Sequence, residues 1–114
     1  MSQQASINYI EFSCRNIPVI KAFYEKAFGW VFTDYGPDYT AFNDGKIDGG
    51  FFHDDAHVPA GNPLVVLHTT ILESLRDEVM AAGGTIVKEI FDFPGGRRFH
   101  FADPDGNVLA VWSE

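Results

Sequence analysis

The side chains that could perform chemistry lie in two segments far apart in the chain. Glu11 alternates with Tyr9 in a segment of strand-like period, and Arg98 and His100 alternate in a second segment. A carboxylate and an imidazole can transfer protons, and a guanidinium can hold an anion. The sequence therefore offers an acid, an imidazole and a cation for a polar site, if the fold brings the two segments together.

Three further histidines, His53, His57 and His68, lack the short spacing of a metal-binding motif. His53 falls at the end of a predicted strand and His57 in a loop, while alternation places His68 on the side that faces the helices. They could in principle join Glu11 in a displaced metal site. Solvated or structural roles are the favoured interpretation.

Composition sets the class of protein. The chain has 114 residues, of which 46% are hydrophobic and 15% aromatic, enough for one domain with a real core. A net charge of -8 and scattered basic residues disfavour nucleic acid as a partner. No apolar run is long enough for a membrane helix, and the start of the chain does not resemble a signal peptide. Cys14 is the only cysteine, so no internal disulfide forms; it is predicted to be a buried, unreactive thiol in a cytoplasmic protein.

The elements that must position these residues follow one order twice. A strand over 7–14, a helix between Asn16 and Gly29, and strands over 30–35, 39–43 and 47–53 are predicted first. After a turn-rich linker, a strand over 64–68 and a helix that Thr70 and Glu73 would cap are predicted, followed by strands over 85–89, 97–102 and 108–112.

The spacing makes this a repeat, because Asn16 and Gly29 recur 54 positions later as Thr70 and Gly83. The first module is predicted over about residues 5–54, the linker over about 55–62 and the second module over about 63–114. Each module alone would expose one face of its sheet and one side of its helix, so we expect a single domain over residues 1–114.

Three segments carry a family resemblance. Residues 22–30 contain a helix with Phe23, Tyr24 and a closing Gly29; residues 82–87 read AGGTIV, and residues 101–107 read FADPDGN. Together, and in this order, they resemble the vicinal oxygen chelate superfamily, also called the glyoxalase, bleomycin resistance and extradiol dioxygenase superfamily. The resemblance covers the whole chain.

The resemblance implies an α+β fold in which two tandem βαβββ modules form a curved mixed sheet around a concave pocket, with the helices on the convex side. It also implies which side chains line the pocket, namely Tyr9, Glu11, Arg98, His100 and Trp112. Such a lining suits a small polar or aromatic ligand, with His100 and Glu11 as candidate catalytic residues. Alternatively, Glu11 and Arg98 simply pair inside a structural cavity. Superfamily members commonly pair modules between chains, so a homodimer is expected.

The metal-ligand positions of the superfamily correspond here to Tyr9, Gly49, Pro63 and Ala110. A tyrosine with a pKa near 10 is a poor ligand at neutral pH, and the other three side chains offer no ligand atom. We therefore expect no metal and no other cofactor. Glyoxalase I and extradiol dioxygenase activities are disfavoured, because they depend on a cation that polarises paired oxygens.

Three functions remain open. The first is a metal-free protein that binds a small molecule, as bleomycin-resistance-like members do. The second is a lyase or isomerase that uses His100 and Glu11 for proton transfer, or a relocated metal. The third is a dimeric structural or regulatory module. The segment Pro94-Gly95-Gly96-Arg97 is interpreted either as a hinged lid whose arginine contacts an anionic ligand or as an ordinary hairpin connection.

Overall fold

The computed structural model describes residues 7–59 and 64–114, which form two copies of one order of elements. No helix within these residues is long and apolar enough to cross a membrane. The ten elements, in chain order, are β1 Tyr9–Cys14, α1 Ile17–Phe28, β2 Val31–Asp34, β3 Tyr39–Asn43, β4 Asp48–His53, β5 Val65–His68, α2 Leu72–Ala81, β6 Thr85–Phe93, β7 Gly96–Ala102 and β8 Val108–Ser113.

Helix α1 begins and ends where the sequence predicts. The side chain of Asn16 accepts a hydrogen bond from the backbone N–H of Val19 at 3.1 Å, and Pro18 occupies the first turn, where no backbone donor is needed. Gly29 ends the helix in the left-handed conformation, with φ 71°. Between these ends, the buried residues Ile17, Ile20, Phe23, Tyr24 and Ala27 form one apolar stripe.

Helix α2 begins differently from the prediction. Its N-cap position is Ile71, no side chain caps it, and the expected pair of Thr70 and Glu73 does not form. The Glu73 carboxylate is instead bound by the guanidinium of Arg97 on β7. A charge-assisted bond to a neighbouring strand thus takes the carboxylate that the predicted local cap would have used.

The strands form two four-stranded mixed sheets, ordered β1-β4-β3-β2 and β5-β8-β7-β6. In each sheet the first and last strands of the module pair in parallel, and the other pairs are antiparallel. Helix α1 packs on β2 and β4, and α2 packs on β6, β7 and β8. The predicted α+β class with two βαβββ modules is thus confirmed. We call the face of each sheet opposite the helices its open face.

The core is continuous across the two modules. On the helix side of the second sheet, Phe101 contacts Phe23 and Phe28 of α1, with ring centroids 6.0 and 5.6 Å apart. On the first sheet, Trp30 stacks between Tyr24 and Phe42 at 4.5 and 4.4 Å. Such aromatic packing supplies much of the buried apolar area in a chain of this size.

The turn at residues 103–107 joins the second module to the first. Asp103 is buried, and its carboxylate accepts from the hydroxyl of Tyr24 at 3.0 Å and from the side chain of Asn107 at 3.1 Å. Asn107 also donates to the backbone carbonyl of Ser13, and the backbone carbonyl of Asp105 lies 2.9 Å from Nε2 of His57. The segment that the sequence marks as a turn therefore fastens the end of β1 to the second sheet.

Candidate functional site

The five predicted pocket residues lie on the open faces of the sheets, but in two groups. Tyr9 and Glu11 lie on the first sheet, and Arg98, His100 and Trp112 lie on the second. Among the described residues, no hydrogen bond, ion pair or aromatic contact joins one group to the other. Each sheet therefore carries a half-site, and the shared pocket of these five residues stays a prediction.

The first half-site is a cluster of hydroxyl and carboxylate groups. The hydroxyl of Tyr39 donates to the carboxylate of Glu11 at 2.9 Å and makes a close contact with the hydroxyl of Tyr9. Burial raises the pKa of Tyr39, and its bonds with Tyr9 and Glu11 raise it further. The Tyr39 phenol is therefore neutral at physiological pH, so that Tyr9 donates to Tyr39 and Tyr39 donates to Glu11.

Gly50 makes room for this cluster. It pairs with Glu11 on one side and with Ala41 on the other, and a Cβ built at Gly50 would overlap the Tyr39 hydroxyl. Any larger residue there would push the phenol away from Glu11. The glycine is needed for space, since its backbone is not in the left-handed region.

The second half-site is a row of alternating aromatic and cationic side chains across three strands. Arg98 on β7 is paired with Phe91 on β6 and with Trp112 on β8. Its guanidinium carbon lies 5.2 Å from the ring centroid of Phe91 and 5.3 Å from that of Phe93. These distances suit cation–π contacts, which hold the planar group in place.

The next row adds two more basic groups. Lys88 and Ala110 flank His100, and the Lys88 ammonium lies 4.2 Å from the ring centroid of Phe91. Burial lowers the pKa of His100 below its usual value, and the positive charges of Arg98 and Lys88 lower it further. His100 is therefore a neutral imidazole at pH 7, able to accept a proton from a ligand.

Two polar atoms of this half-site are buried without a partner. Nε of Arg98 and Nε2 of His100 have no hydrogen-bond partner among the described residues. A buried donor or acceptor without a partner costs about 1–3 kcal/mol, so it favours any molecule that supplies the missing bond. Beside Arg98 lies an open cavity of about 280 Å³, lined by Val66, Phe93, Pro94, Gly95, Arg98 and Trp112.

Three of the four positions that correspond to the superfamily's metal ligands lie within the described residues. Pro63 lies outside the described residues. Gly49 faces the helices, since a Cβ there would meet the ring of Phe42, so the matching position on the open face is Gly50. Gly50 and Ala110 are both the third residue of the last strand of their module. The sequence alignment was therefore wrong by one residue in the first module.

The residues present do not fit a divalent metal at these positions. Tyr9 offers a phenol that is engaged with Tyr39, and neither Gly50 nor Ala110 has a ligand atom. Within residues 7–59 and 64–114, no three His, Cys, Asp or Glu side chains are grouped so as to hold a metal ion. The groups available for chemistry at these positions are therefore the side chains themselves.

The other histidines have structural partners, and one expectation about them is wrong. His57 is buried between the hydroxyl of Ser13 at 2.7 Å and the carbonyl of Asp105. His53 lies 3.4 Å from Asp38 and 3.0 Å from Asp55.

His68 does not face the helices as predicted. It pairs with Trp112 on the open face, with ring centroids 4.9 Å apart, and contacts the carboxylate of Glu114 at 2.9 Å. Val65 and Leu67 pack against the core, so the alternation of β5 places His68 on the open face with Val66.

The segment at residues 94–97 is a hairpin connection. Pro94 and Gly95 form the turn, and Gly96 already belongs to β7, where a Cβ would overlap the carbonyl of Ser113. Arg97 is bound to Glu73 on the helix side. The lid interpretation is not supported, although Pro94 and Gly95 do form one wall of the cavity beside Arg98.

Sequence reasoning missed Tyr39 and the aromatic residues of β6. Tyr39 begins a strand that was predicted, so pairing it across the hairpin would have placed it on the open face with Glu11. Phe91 and Phe93 lie beyond the predicted end of β6, which extends to Phe93. Register shifts between Ile86 and Phe91 break the alternation there, and no local signal in the sequence announces them.

Solved structures with the same fold are numerous. A glyoxalase/bleomycin resistance protein/dioxygenase family enzyme from Burkholderia phytofirmans PsJN has a TM-score of 0.85 and 20% identity, over 96% of this chain and 98% of that one. The fosfomycin resistance protein FosX from Mesorhizobium loti has a TM-score of 0.82 and 13% identity, over 98% and 94% of the two chains. At these identities the likeness shows the fold alone.

A lactoylglutathione lyase from Agrobacterium tumefaciens is similar at a TM-score of 0.77 and 15% identity, over 98% of this chain and 96% of that one. No curated protein matches the chain. The family model that describes the glyoxalase/bleomycin resistance protein/dioxygenase superfamily matches residues 6–111, nearly the whole chain. The chain therefore belongs to the glyoxalase/bleomycin resistance protein/dioxygenase superfamily.

Proposed function

We propose that the protein is a metal-independent homodimer that binds a small polar or aromatic molecule in a pocket between two chains. The observation that carries the proposal is the second half-site, where Arg98 is held between aromatic rings beside an open cavity and its Nε has no partner among the described residues. Binding a ligand there would supply the missing acceptor and cover Trp112.

The charges of the two open faces support the dimer. The open face of the first sheet carries Glu11 and Asp48. That of the second carries the cations Lys88 and Arg98, and the carboxylate directly after β8, that of Glu114, is paired with His68. Opposite charges favour placing one face against the other, and a twofold axis would do so twice. In that arrangement all five residues that the sequence assigned to one pocket would line a site shared by two chains.

Apolar side chains on the same faces support it further. Tyr9 is 44% exposed, Val66 44% and Phe52 36%. Covering them would bury area that a single chain leaves in water. A cytoplasmic location belongs to the same proposal, since the single thiol is buried and the described fold uses no disulfide.

Mixing two variants tests the shared pocket. Glu11→Gln and Arg98→Gln chains are each titrated with a panel of small aromatic compounds, and binding is followed by the indole N–H signal of Trp112 in NMR spectra. In a mixed dimer one pocket carries both substitutions and the other carries neither, so mixing should restore binding to a fraction of the sites. A pocket within one chain would recover nothing on mixing. Sedimentation of the unmixed protein as a monomer would also contradict the proposal.

A metal-free lyase or isomerase is the second candidate. It is favoured by the neutral His100, whose Nε2 has no partner among the described residues, and by the carboxylate of Glu11, which in a shared pocket would face it. Incorporation of solvent deuterium into 2-hydroxyacetophenone, followed by NMR, tests this activity. Loss of exchange in His100→Gln, with binding retained, would support it.

A dimer that binds no compound and exchanges no proton would instead fit a structural or regulatory module.

A further inference from the structure

Arg98 differs from every other arginine of the chain in having no polar partner among the described residues. Arg76 is bound to Glu89 at 2.6 Å, and Arg97 is bound to Glu73. Arg15 donates to the backbone carbonyl of His57 at 2.9 Å. In a chain with a net charge of -8, a guanidinium without any hydrogen-bond acceptor is unusual, because acidic residues outnumber basic ones by 16 to 8.

The way in which Arg98 is held leaves its donors usable. Phe91 and Phe93 contact the guanidinium as cation–π partners, and an aromatic ring accepts no conventional hydrogen bond from the guanidinium edge. The fork of N–H groups is thereby fixed on a sheet, where little side-chain entropy remains to be lost on binding. A fixed fork is the geometry that a carboxylate accepts in a bidentate manner.

The strand neighbours of Arg98 add positive charge and no negative charge. Lys88 and His100 lie in the next row of the sheet, beside Arg98 but outside the cavity lining. The strand residues paired with Arg98 and His100 are Phe91, Trp112, Lys88 and Ala110, none of them acidic. The two cations, Arg98 and Lys88, have no carboxylate between them and create a local positive potential in a protein that is otherwise acidic. An anion is the ligand that such a site attracts most strongly.

The remaining walls indicate what the anion is attached to. Beyond Arg98 the cavity is bounded by Val66, Phe93, Pro94 and Trp112, which are apolar or aromatic. Its volume of about 280 Å³ lies at the small end of ligand pockets, which run from about 300 to 1,000 Å³. A flat apolar body beside one anionic group fits this shape better than a ligand with several charges.

Resting on the proposed function, we infer that the second half-site selects aromatic carboxylates. Arg98 binds the carboxylate in a bidentate manner, Lys88 contributes positive charge, and the neutral His100 contributes a third hydrogen bond. The aromatic ring of the ligand lies against Trp112 and Phe93. Arg98 is then the residue that determines specificity for negative charge, and the aromatic walls determine specificity for a flat ring.

Three probes of one size and different charge test the inference: benzoate, benzamide and benzylamine. Each is titrated into the wild-type protein, with calorimetry for affinity and the indole N–H of Trp112 as a local NMR reporter. Benzoate should bind at least about tenfold more tightly than benzamide, which corresponds to about 1.4 kcal/mol, and benzylamine should bind most weakly. The preference for benzoate should shrink as salt is added, because exposed charges are screened.

Variants assign the effect to Arg98. Arg98→Gln should lower the affinity for benzoate about tenfold or more and leave that for benzamide unchanged. Arg98→Lys keeps the positive charge but loses the planar pair of donors, so its affinity for benzoate should lie between those of the wild type and Arg98→Gln. The neighbouring Arg97→Gln is the matched control, since Arg97 faces the helix and binds Glu73. The amide spectrum of each variant reports whether it remains folded.

Failure of the carboxylate inference and failure of the binding proposal give different results. Equal affinity for the three probes, or an Arg98→Gln chain that keeps its preference for benzoate, would overturn the inference and leave the binding proposal standing. If none of the three probes binds to the wild type, both fail. Binding of benzoate only after Glu11→Gln would show that Glu11 of a second chain is the natural partner of Arg98, and this too would overturn the inference.

Discussion

Protonation of His100 should make the stability of the folded protein depend on pH. Burial and the nearby Arg98 and Lys88 lower its pKa from the usual 6.5, so the folded protein resists its protonation. Below about pH 6.5 the unfolded chain binds more protons than the folded one, and the free energy of unfolding falls as the pH falls towards the lower, folded-state pKa.

Urea unfolding between pH 5 and pH 8 checks this expectation. The wild type should lose stability on the acidic side, and His100→Gln should lose less, because the substituted side chain does not titrate. His68→Gln is a suitable control, since His68 is on the same face but pairs with Glu114. Identical pH profiles for wild type and His100→Gln would contradict the assignment.

The thiol of Cys14 should be inert in the folded protein. It is fully buried on the helix side of β1, and burial raises its pKa to about 11, with Asp105 and Asp103 contributing. Thiolate is the nucleophilic form, so labelling by iodoacetamide at pH 8 should be negligible in native protein and complete in urea. Rapid labelling of native protein would show that β1 opens readily.

At the scale of elements, the turn at residues 103–107 should contribute more to stability than its sequence suggests. Asp103→Ala would remove the acceptor for Tyr24, for the side chain of Asn107 and for two backbone N–H groups in a buried place. A loss of roughly 2–4 kcal/mol in the free energy of unfolding is expected.

Asp44→Ala is the matched control for this turn. Asp44 accepts two backbone hydrogen bonds in the turn between β3 and β4, but it is exposed, so water replaces the lost acceptor. It should cost about 1 kcal/mol or less. Equal losses in both variants, measured by urea unfolding, would mean that the contact between modules contributes little.

At the scale of the whole molecule, the opposite charges of the two open faces should make dimerisation depend on salt. Sedimentation equilibrium should show weaker association as sodium chloride is raised, because attraction between partly exposed charges is screened. Lys88→Glu should weaken association further at low salt, since it would place a like charge opposite Glu11. Association that strengthens with salt would indicate an interface governed by apolar contacts instead.

Much of the architecture could be predicted from local patterns. The cap at Asn16, the left-handed Gly29 and the polar alternation at Tyr9 and Glu11 are each properties of a few neighbouring residues, and the structure shows them as expected. The α2 cap failed because Glu73 has a stronger partner 24 positions away in Arg97. Likewise, β5 alternates strictly, but its sequence Val-Val-Leu-His does not say which alternating pair faces the core, and the packing of Val65 and Leu67 decides the side of His68.

The candidate site, too, was predictable from the sequence only in part. The sequence by itself determined the repeat, the family and the outward direction of Tyr9, Glu11, Arg98, His100 and Trp112, because periodicity and turn chemistry act over short distances. Only the tertiary structure decided that Glu11 and Arg98 lie on separate sheets, that Tyr39 completes one half-site, and that register shifts in β6 bring Phe91 beside Arg98. These depend on strand register and on the packing of two modules, which are set by contacts between distant residues and cannot be obtained from local sequence.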